Sequence, residues 1–166
     1  MAVQREHEER KLPFLGNLLA NIFFDRTIDI SHANLLIKNG RTISFTQMCI
    51  LIIFSKPYKS KIKGRYCGRS EFPKSDKNLT SVFQEIFDLG SQGLLYRNEY
   101  EPVTRASHLN EPINVNVVGA GRNLYELMEL GKIDETYLDS VAFKIFPSES
   151  EKYPPEKRNS VTLMKK

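Results

Sequence analysis

Apolar side chains at helical spacing dominate the first 25 residues and predict a helix over residues 4–25. The side chains that set this pattern are Leu12, Leu15, Leu18, Leu19, Ile22 and Phe23. Pro13 fits the first turn of a helix that begins near Lys11, or kinks a helix that begins earlier. We therefore interpret the charged leader, residues 1–10, as either a separate short helix or a disordered segment.

A capping signal precedes the most apolar stretch of the chain. Ser44 and Gln47 have the spacing of a capping box, in which each side chain bonds to the backbone of the other residue. The helix that they open, residues 44–54, is apolar nearly all round and is predicted to be the central core helix. Upstream, Ser31 is predicted to cap a short helix that closes at Asn39-Gly40.

A second strong helical pattern begins near residue 78. Apolar positions at spacings of three and four run from Leu79 to Leu89, and Asn78 is predicted to be their N-cap. Gly90 and Gly93 can adopt positive φ, so this helix is predicted to end between them. The other elements of the chain are predicted to be organised around residues 78–130, which this helix opens.

Two short strands are predicted after this helix. Leu94–Tyr96 favours an extended segment, and Ile113–Val118 alternates branched apolar residues with asparagines. Residues 98–112 between them are rich in proline, asparagine and charge, which predicts an exposed loop. A closing helix is predicted from Gly119 to Gly131. The order of helix, ribbon and helix is the outline of a winged helix.

These elements predict a mainly α fold (α+β), a helical bundle with a winged-helix-like unit and a small two-stranded antiparallel β-ribbon. One domain is predicted over residues 1–146, in which residues 137–143 form a last short helix or an extended segment. Residues 147–166 are polar and contain prolines, and they are predicted to be a disordered tail.

Composition narrows the class of protein. The net charge is +4, and no apolar run approaches the roughly 18–20 residues that span a bilayer. We therefore predict no membrane partner. Without an apolar segment of signal-peptide type, and with two cysteines that lack metal-binding spacing, the chain is predicted to be cytoplasmic. His7, His32 and His108 have no partner at ligand spacing, so no metal, cofactor or catalytic group is predicted.

Positive charge is concentrated in residues 56–77, which hold eight lysines and arginines against two acids, a balance of +6. This segment is predicted to be a long basic loop or an irregular short strand. One hypothesis is that it binds nucleic-acid phosphates through Lys59, Lys61, Lys63, Arg65 and Arg69. Tyr58, Tyr66 and Phe72 would then stack on bases. The alternative is a solvated surface loop whose aromatic side chains anchor it to the core.

The helix from Leu79 occupies the position of a recognition helix. Gln84 and Gln92 on its predicted outer face have the side chains that read adenine edges. Glu85 and Asp88 are predicted on the same face, where phosphates would repel them.

Gly119-Ala120-Gly121 is interpreted as a tight turn into the closing helix, with an anion site at the helix start as the alternative.

Several short motifs together resemble the abortive-infection alpha proteins, a family associated with bacteria and phages. They are Leu15-Gly16-Asn17-Leu18-Leu19-Ala20-Asn21, Ser31-His32-Ala33, Ile43-Ser44-Phe45-Thr46-Gln47, Phe87-Asp88-Leu89-Gly90-Ser91-Gln92-Gly93-Leu94-Leu95 and Val117-Val118-Gly119-Ala120-Gly121-Arg122-Asn123-Leu124-Tyr125. The resemblance covers roughly residues 8–130 and implies a leading helix before a winged-helix-like part. It also implies a setting in phage–host conflict, and it brings no catalytic residues.

The preferred hypothesis is a non-enzymatic, winged-helix-like binding module that contacts nucleic acid through its basic loop. The alternative is a protein–protein interaction scaffold or oligomerisation domain, with a homodimer or another protein as its partner. In that alternative an acidic face from Glu126 to Glu135 meets a basic surface.

Overall fold

The structure, a computed structural model, describes residues 2–62, 77–97, 101–102 and 115–146. Within them the chain forms seven α-helices, one 3-10 helix and three short strands. In order these are α1 (Ala2–Phe24), α2 (Ile30–Thr42), α3 (Phe45–Phe54), α4 (Lys56–Ile62), α5 (Lys77–Ser91), β1 (Leu95–Arg97), β2 (Glu101–Pro102), β3 (Val115–Val117), α6 (Ala120–Leu127), the 3-10 helix η1 (Leu130–Lys132) and α7 (Glu135–Ile145). The predicted mainly α fold with a small antiparallel ribbon is confirmed.

Helix α3 is the centre of the hydrophobic core, as its sequence predicts. All of its residues except Thr46 are buried, including Cys49, whose pKa burial raises to about 12. Helix α7 packs along α3 through Leu138, Val141, Ala142 and Ile145, and the Phe54 and Phe146 rings meet edge to face. The last short element is therefore a helix and not an extended segment.

The capping box at the start of α3 is confirmed. The Gln47 backbone N–H donates to Ser44 Oγ at 3.1 Å, and the Ser44 N–H donates to Gln47 Oε1 at 2.9 Å. These two bonds occupy backbone donors that would otherwise lack partners in the first turn. The entry to the core helix is thereby fixed at Ser44.

Replacing Ser44 with alanine is expected to lower the free energy of unfolding by about 0.5–2 kcal/mol, because the cap bond is lost. Urea denaturation would measure the change. Ser31→Ala is the matched control, since Ser31 is exposed and is not the N-cap of its helix. We expect that control to stay within about 0.5 kcal/mol of the wild type. Equal losses in both variants would contradict this prediction.

Helix α1 is continuous from Ala2 to Phe24 and contains Pro13. Residues 2–10 are therefore part of this helix, and neither a separate helix nor a disordered leader. Pro13 has no N–H to donate to the carbonyl four residues earlier, but it lies on the exposed side of α1. Water can reach that carbonyl there, so the helix passes through the proline.

Helix α2 differs at both ends from the predicted short helix. Its N-cap is Asp29, whose Oδ1 accepts the His32 N–H at 2.8 Å, and not Ser31. The helix also continues past Asn39-Gly40 to Thr42. Gly40 is buried, and a Cβ added there would lie 2.6 Å from Leu18 Cδ2. This glycine therefore lets α1 and α2 approach each other and does not end the helix.

Helix α5 ends where its glycines predict. The Leu94 N–H bonds to the Leu89 carbonyl and the Gly93 N–H to the Gly90 carbonyl, with Gly93 at φ +71°. These two bonds form a Schellman motif. The N-terminal boundary differs, because α5 begins at Lys77 and the predicted cap, Asn78, lies inside it.

The ribbon comes directly after α5. Strand β1 pairs antiparallel with β3, and Leu95 lies opposite Val117. Strand β2 pairs with the other edge of β1, which gives the order β2-β1-β3. The prediction of a loop over residues 98–112 is therefore wrong at Glu101 and Pro102, and the rest of that span lies outside the described residues.

The closing helix is shorter than predicted. Helix α6 ends at Leu127, Glu129 adopts the left-handed conformation at φ 55°, and the chain continues as η1 and not as a single helix to Gly131. Asn21 Nδ2 of α1 donates to the Leu127 carbonyl at 2.8 Å. This bond satisfies a free carbonyl at the end of α6 and ties α1 to it.

Candidate interaction surfaces

Helix α1 carries apolar side chains on two adjacent faces. Its inner face contains the fully buried Leu18 and the half-buried Leu15 and Ile22, which pack on the core. Its outer face contains Leu12, Leu19 and Phe23, all exposed, with Phe23 82% exposed. The described residues cover the inner face and leave the outer face exposed to water.

The outer face has the spacing of a helix–helix contact. We call Leu12, Gly16, Leu19 and Phe23 the outer seam. Their spacings of four, three and four residues are those of the apolar positions in a coiled-coil seam. Gly16 is exposed, and a Cβ added there would meet nothing within 4 Å. The middle of the seam is therefore an open notch between large side chains.

Further apolar side chains are exposed where α1 passes into α2. We call Phe24, Ile30 and Leu35 the apolar joint; Phe24 is 78% exposed and Ile30 81%. The rings of Phe23 and Phe24 contact each other edge to face, with centroids 5.3 Å apart. At about 180–200 Å² per fully exposed side chain, the large side chains of the seam and joint expose on the order of 700 Å² of apolar surface. About half of this area belongs to the seam and half to the joint, so each lies within the roughly 300–600 Å² of the largest patch on an ordinary monomer, which is often functional.

The sequence pattern places the apolar side chains of α1 in one helical stripe and does not show that part of it is buried and part exposed. At 100° per residue, Leu12, Leu19 and Phe23 fall within roughly 40° of one another around the helix axis. The centre of the buried set lies about 90° away. The six side chains therefore form one continuous stripe of roughly 140°, and only the packing shows which part of it is buried.

The predicted basic loop begins as a helix. Helix α4 covers Lys56–Ile62, and Pro57 is accepted because it lies in the first turn. Tyr58 is buried, and its hydroxyl lies 3.4 Å from Asp139 Oδ1. The prediction of an irregular basic segment is thus wrong over residues 56–62, and the first of its aromatic side chains anchors α4 to α7 instead of facing a base.

The structure separates the predicted phosphate-binding residues. Lys59 is half-buried, and its Nζ donates to the Val115 carbonyl and to Asn116 Oδ1, the latter at 2.9 Å. Lys61 is exposed and forms a 3.0 Å ion pair with Glu135. Lys63, Arg65 and Arg69 lie outside the described residues. Of the five predicted contacts, only Lys61 is therefore seen presenting its charge to solvent.

Lys59 also makes stability depend on pH. Burial lowers the pKa of Lys59 from 10.5 to about 8, so between these values the folded protein binds fewer protons here than the unfolded chain. We therefore expect the unfolding free energy of the wild type, relative to Lys59→Met, to rise from about pH 8 towards pH 10.5. Urea midpoints at a series of pH values would measure the difference. Parallel curves for the two proteins would contradict this prediction.

The outer face of α5 offers little to a nucleic acid. Gln84 is exposed and its Nε2 donates to Asp88 Oδ1 at 2.8 Å, while Gln92 is exposed just beyond the helix end. Glu85 was predicted on this face but is half-buried. Burial and then the charge of Asp88 raise the pKa of Glu85, which also bonds to Gln47. The sequence places no lysine or arginine between residues 81 and 92.

A cleft of about 240 Å³ lies between the start of α4, strand β3 and α6. Lys56 and Arg122 bring positive charge to its wall, and Glu126 brings negative charge. Arg122 is held there by a 3.1 Å bond from its Nε to the Val117 carbonyl. The remaining lining residues are Phe54, Ser55, Pro57, Asn116, Val117 and Tyr125. The cleft thus joins two basic residues that are far apart in the sequence.

Other candidate chemistry is sparse in the described part of the chain. His32 Nε2 lies 3.0 Å from Asn123 Nδ2, which links α2 to α6. No group of three or more histidine, cysteine, aspartate or glutamate side chains in the described ranges could hold a metal ion. No helix among them is both long enough and apolar enough to cross a membrane.

Comparison with known proteins identifies no relative. No family model matches the chain, and no curated protein or solved structure matches it significantly. The resemblance to abortive-infection alpha proteins and the winged-helix class of the α5–ribbon–α6 unit therefore stay predictions.

Proposed function

We propose that this protein is a non-enzymatic protein–protein interaction scaffold that binds its partner through the outer seam and the apolar joint. The single observation that supports this most directly is the exposure of Phe23, at 82%, on a helix whose adjacent face is already packed on the core. Exposed apolar area of this extent is unfavourable in water and is characteristic of binding surfaces.

The composition of this surface supports the same function. Aromatic side chains are enriched among the residues that contribute most to protein interfaces, and Phe23 and Phe24 form a preassembled aromatic pair. The outer seam lies on one long helix that is fixed to the core through Asn21 and Leu18. A rigid helix of this kind loses little conformational entropy when it binds. The implied setting in phage–host conflict fits such a scaffold.

Photo-crosslinking tests this function. A benzophenone side chain placed at Phe23 should form covalent adducts with a protein partner when the chain is expressed in cells. The matched control carries the same group at Phe143, an exposed aromatic residue of α7. Adducts at position 23 that are absent at position 143 are the expected result. The proposed function would be overturned if position 23 formed no adducts, or no more adducts than position 143.

Nucleic-acid binding is the second candidate, and the pairing of Lys56 with Arg122 in one cleft favours it. Lys56 and the exposed Lys61 belong to the basic segment that continues to residue 77. Each lysine or arginine that neutralises a phosphate adds roughly 0.7–0.9 to the slope of log affinity against log salt. The slope measured with single-stranded DNA should therefore fall by about one unit in Lys56→Ala or Arg122→Ala. The slope should not change in Lys144→Ala, because Lys144 is exposed on α7, away from the cleft. Equal slopes in all variants would exclude this candidate.

A further inference from the structure

We propose that the partner of the outer seam is a second copy of this chain, bound with the two α1 helices antiparallel. This inference rests on the proposed function, because it names the partner of the same surface. The size and charge of the side chains along α1 both favour this arrangement. Neither property depends on any residue outside the described ranges.

The seam is complementary to itself in size. A twofold axis between residues 17 and 18 places Leu12 of one copy level with Phe23 of the other. The same axis places Gly16 level with Leu19 of the second copy. Nothing lies within 4 Å of a Cβ added at Gly16. The Leu19 side chain of the second copy can therefore enter this notch. Each of these contacts occurs twice, as an isologous interface requires.

Charge selects the antiparallel orientation. Glu9 is exposed one turn before Leu12, and Arg26 is exposed just past the end of α1. The axis that pairs residue 12 with 23 also pairs Glu9 with Arg26 of the second copy, once at each end of the seam. A parallel pairing would instead place glutamate against glutamate and arginine against arginine.

The apolar side chains of the seam supply about half of the area that a standard dimer interface buries. At about 180–200 Å² per fully exposed side chain, Leu12, Leu19 and Phe23 expose roughly 350–400 Å² per copy. A standard interface buries about 800 Å² per partner, so the rest comes from side chains that flank the seam. A membrane surface fits the ends of the seam less well, because helices that lie on membranes carry lysine and arginine beside their apolar face. Here the charges are mixed, since Glu6, Glu8 and Glu9 stand among Arg5, Arg10 and Lys11 before the seam.

Sedimentation equilibrium of the full chain over about a hundredfold range of concentration tests the proposal. The wild type should show a monomer–dimer equilibrium, and Leu19→Asp should be monomeric with an unchanged circular dichroism spectrum. Glu9→Arg and Arg26→Glu should each weaken the dimer by about tenfold, because each creates two like-charge pairs. The double variant should recover wild-type affinity, and an equimolar mixture of the two single variants should form heterodimers.

The results separate failure of this inference from failure of the proposed function. A wild type that is monomeric throughout, or a charge-reversed pair that neither recovers affinity nor forms heterodimers, would overturn the antiparallel dimer. In that case crosslinks from position 23 to a different protein would still support the interaction scaffold. Binding of a monomer to anionic lipid vesicles, with no crosslink from position 23 to any protein, would overturn both.

Discussion

Gly121→Ala is expected to destabilise the protein by about 3 kcal/mol, at the upper end of what overpacking usually costs. A Cβ at this position would lie 2.4 Å from the Leu94 carbonyl oxygen and 3.0 Å from Val117 Cγ1. The first contact is with backbone, so no rotation of a side chain can relieve it. Relief requires the start of α6 to move away from the ribbon, which disturbs the bond from the Val118 N–H to the same carbonyl.

Gly16→Ala is the matched control for this change. Gly16 lies inside α1, and nothing lies within 4 Å of an added Cβ. Because alanine favours helix over glycine, this variant should be more stable by roughly 0.5–1 kcal/mol. Both variants would be measured by urea denaturation at low protein concentration, where association does not contribute. Equal effects of the two substitutions would show that α6 and the ribbon are not in close contact.

Leu36→Ala is expected to lower the free energy of unfolding by about 2–5 kcal/mol, because it leaves a cavity in the core. The Leu36 side chain is fully buried between α2 and the rest of the core. The adjacent Leu35, in the same helix, is 47% exposed. Replacing it with alanine makes the same chemical change with almost the same effect on helix propensity.

Leu35→Ala is therefore expected to cost less than about 1 kcal/mol, since little buried area is lost. Thermal and urea denaturation of both variants would measure the difference. If Leu35→Ala were the more damaging of the two, the inner and outer faces of α2 would be assigned the wrong way round. The apolar joint would then belong to the core and not to the interaction surface.

Local patterns in the sequence were sufficient to predict much of the fold. The Ser44–Gln47 box, the end of α5 at Gly93 and the pairing of β1 with β3 all depend on residues close together or on simple alternation. The core position of α3 follows from its apolar composition alone. These predictions succeeded because a free backbone N–H in the first turn of a helix has few possible acceptors. A position with positive φ likewise suits few residue types.

The candidate site was less accessible to sequence reasoning, because it depends on which way side chains face. Lys59 belongs to a basic run, yet its ammonium group binds strand β3, 56 residues away in sequence. Gly40 looked like a helix end and is a packing contact with Leu18. Only the packing of α2, α3 and α6 against one side of α1 shows which of its apolar residues have no cover within the described chain.

The sequence by itself determined the cap and core position of α3, the end of α5 and the pairing of β1 with β3, since capping, alternation and apolar periodicity act over a few residues. Only the tertiary structure decided that α1 has a buried and an exposed apolar face, and that Lys56 and Arg122 share a cleft. Burial depends on neighbours supplied by distant parts of the chain. A leucine at position 18 and a leucine at position 19 are chemically identical until those neighbours cover one and leave the other in water.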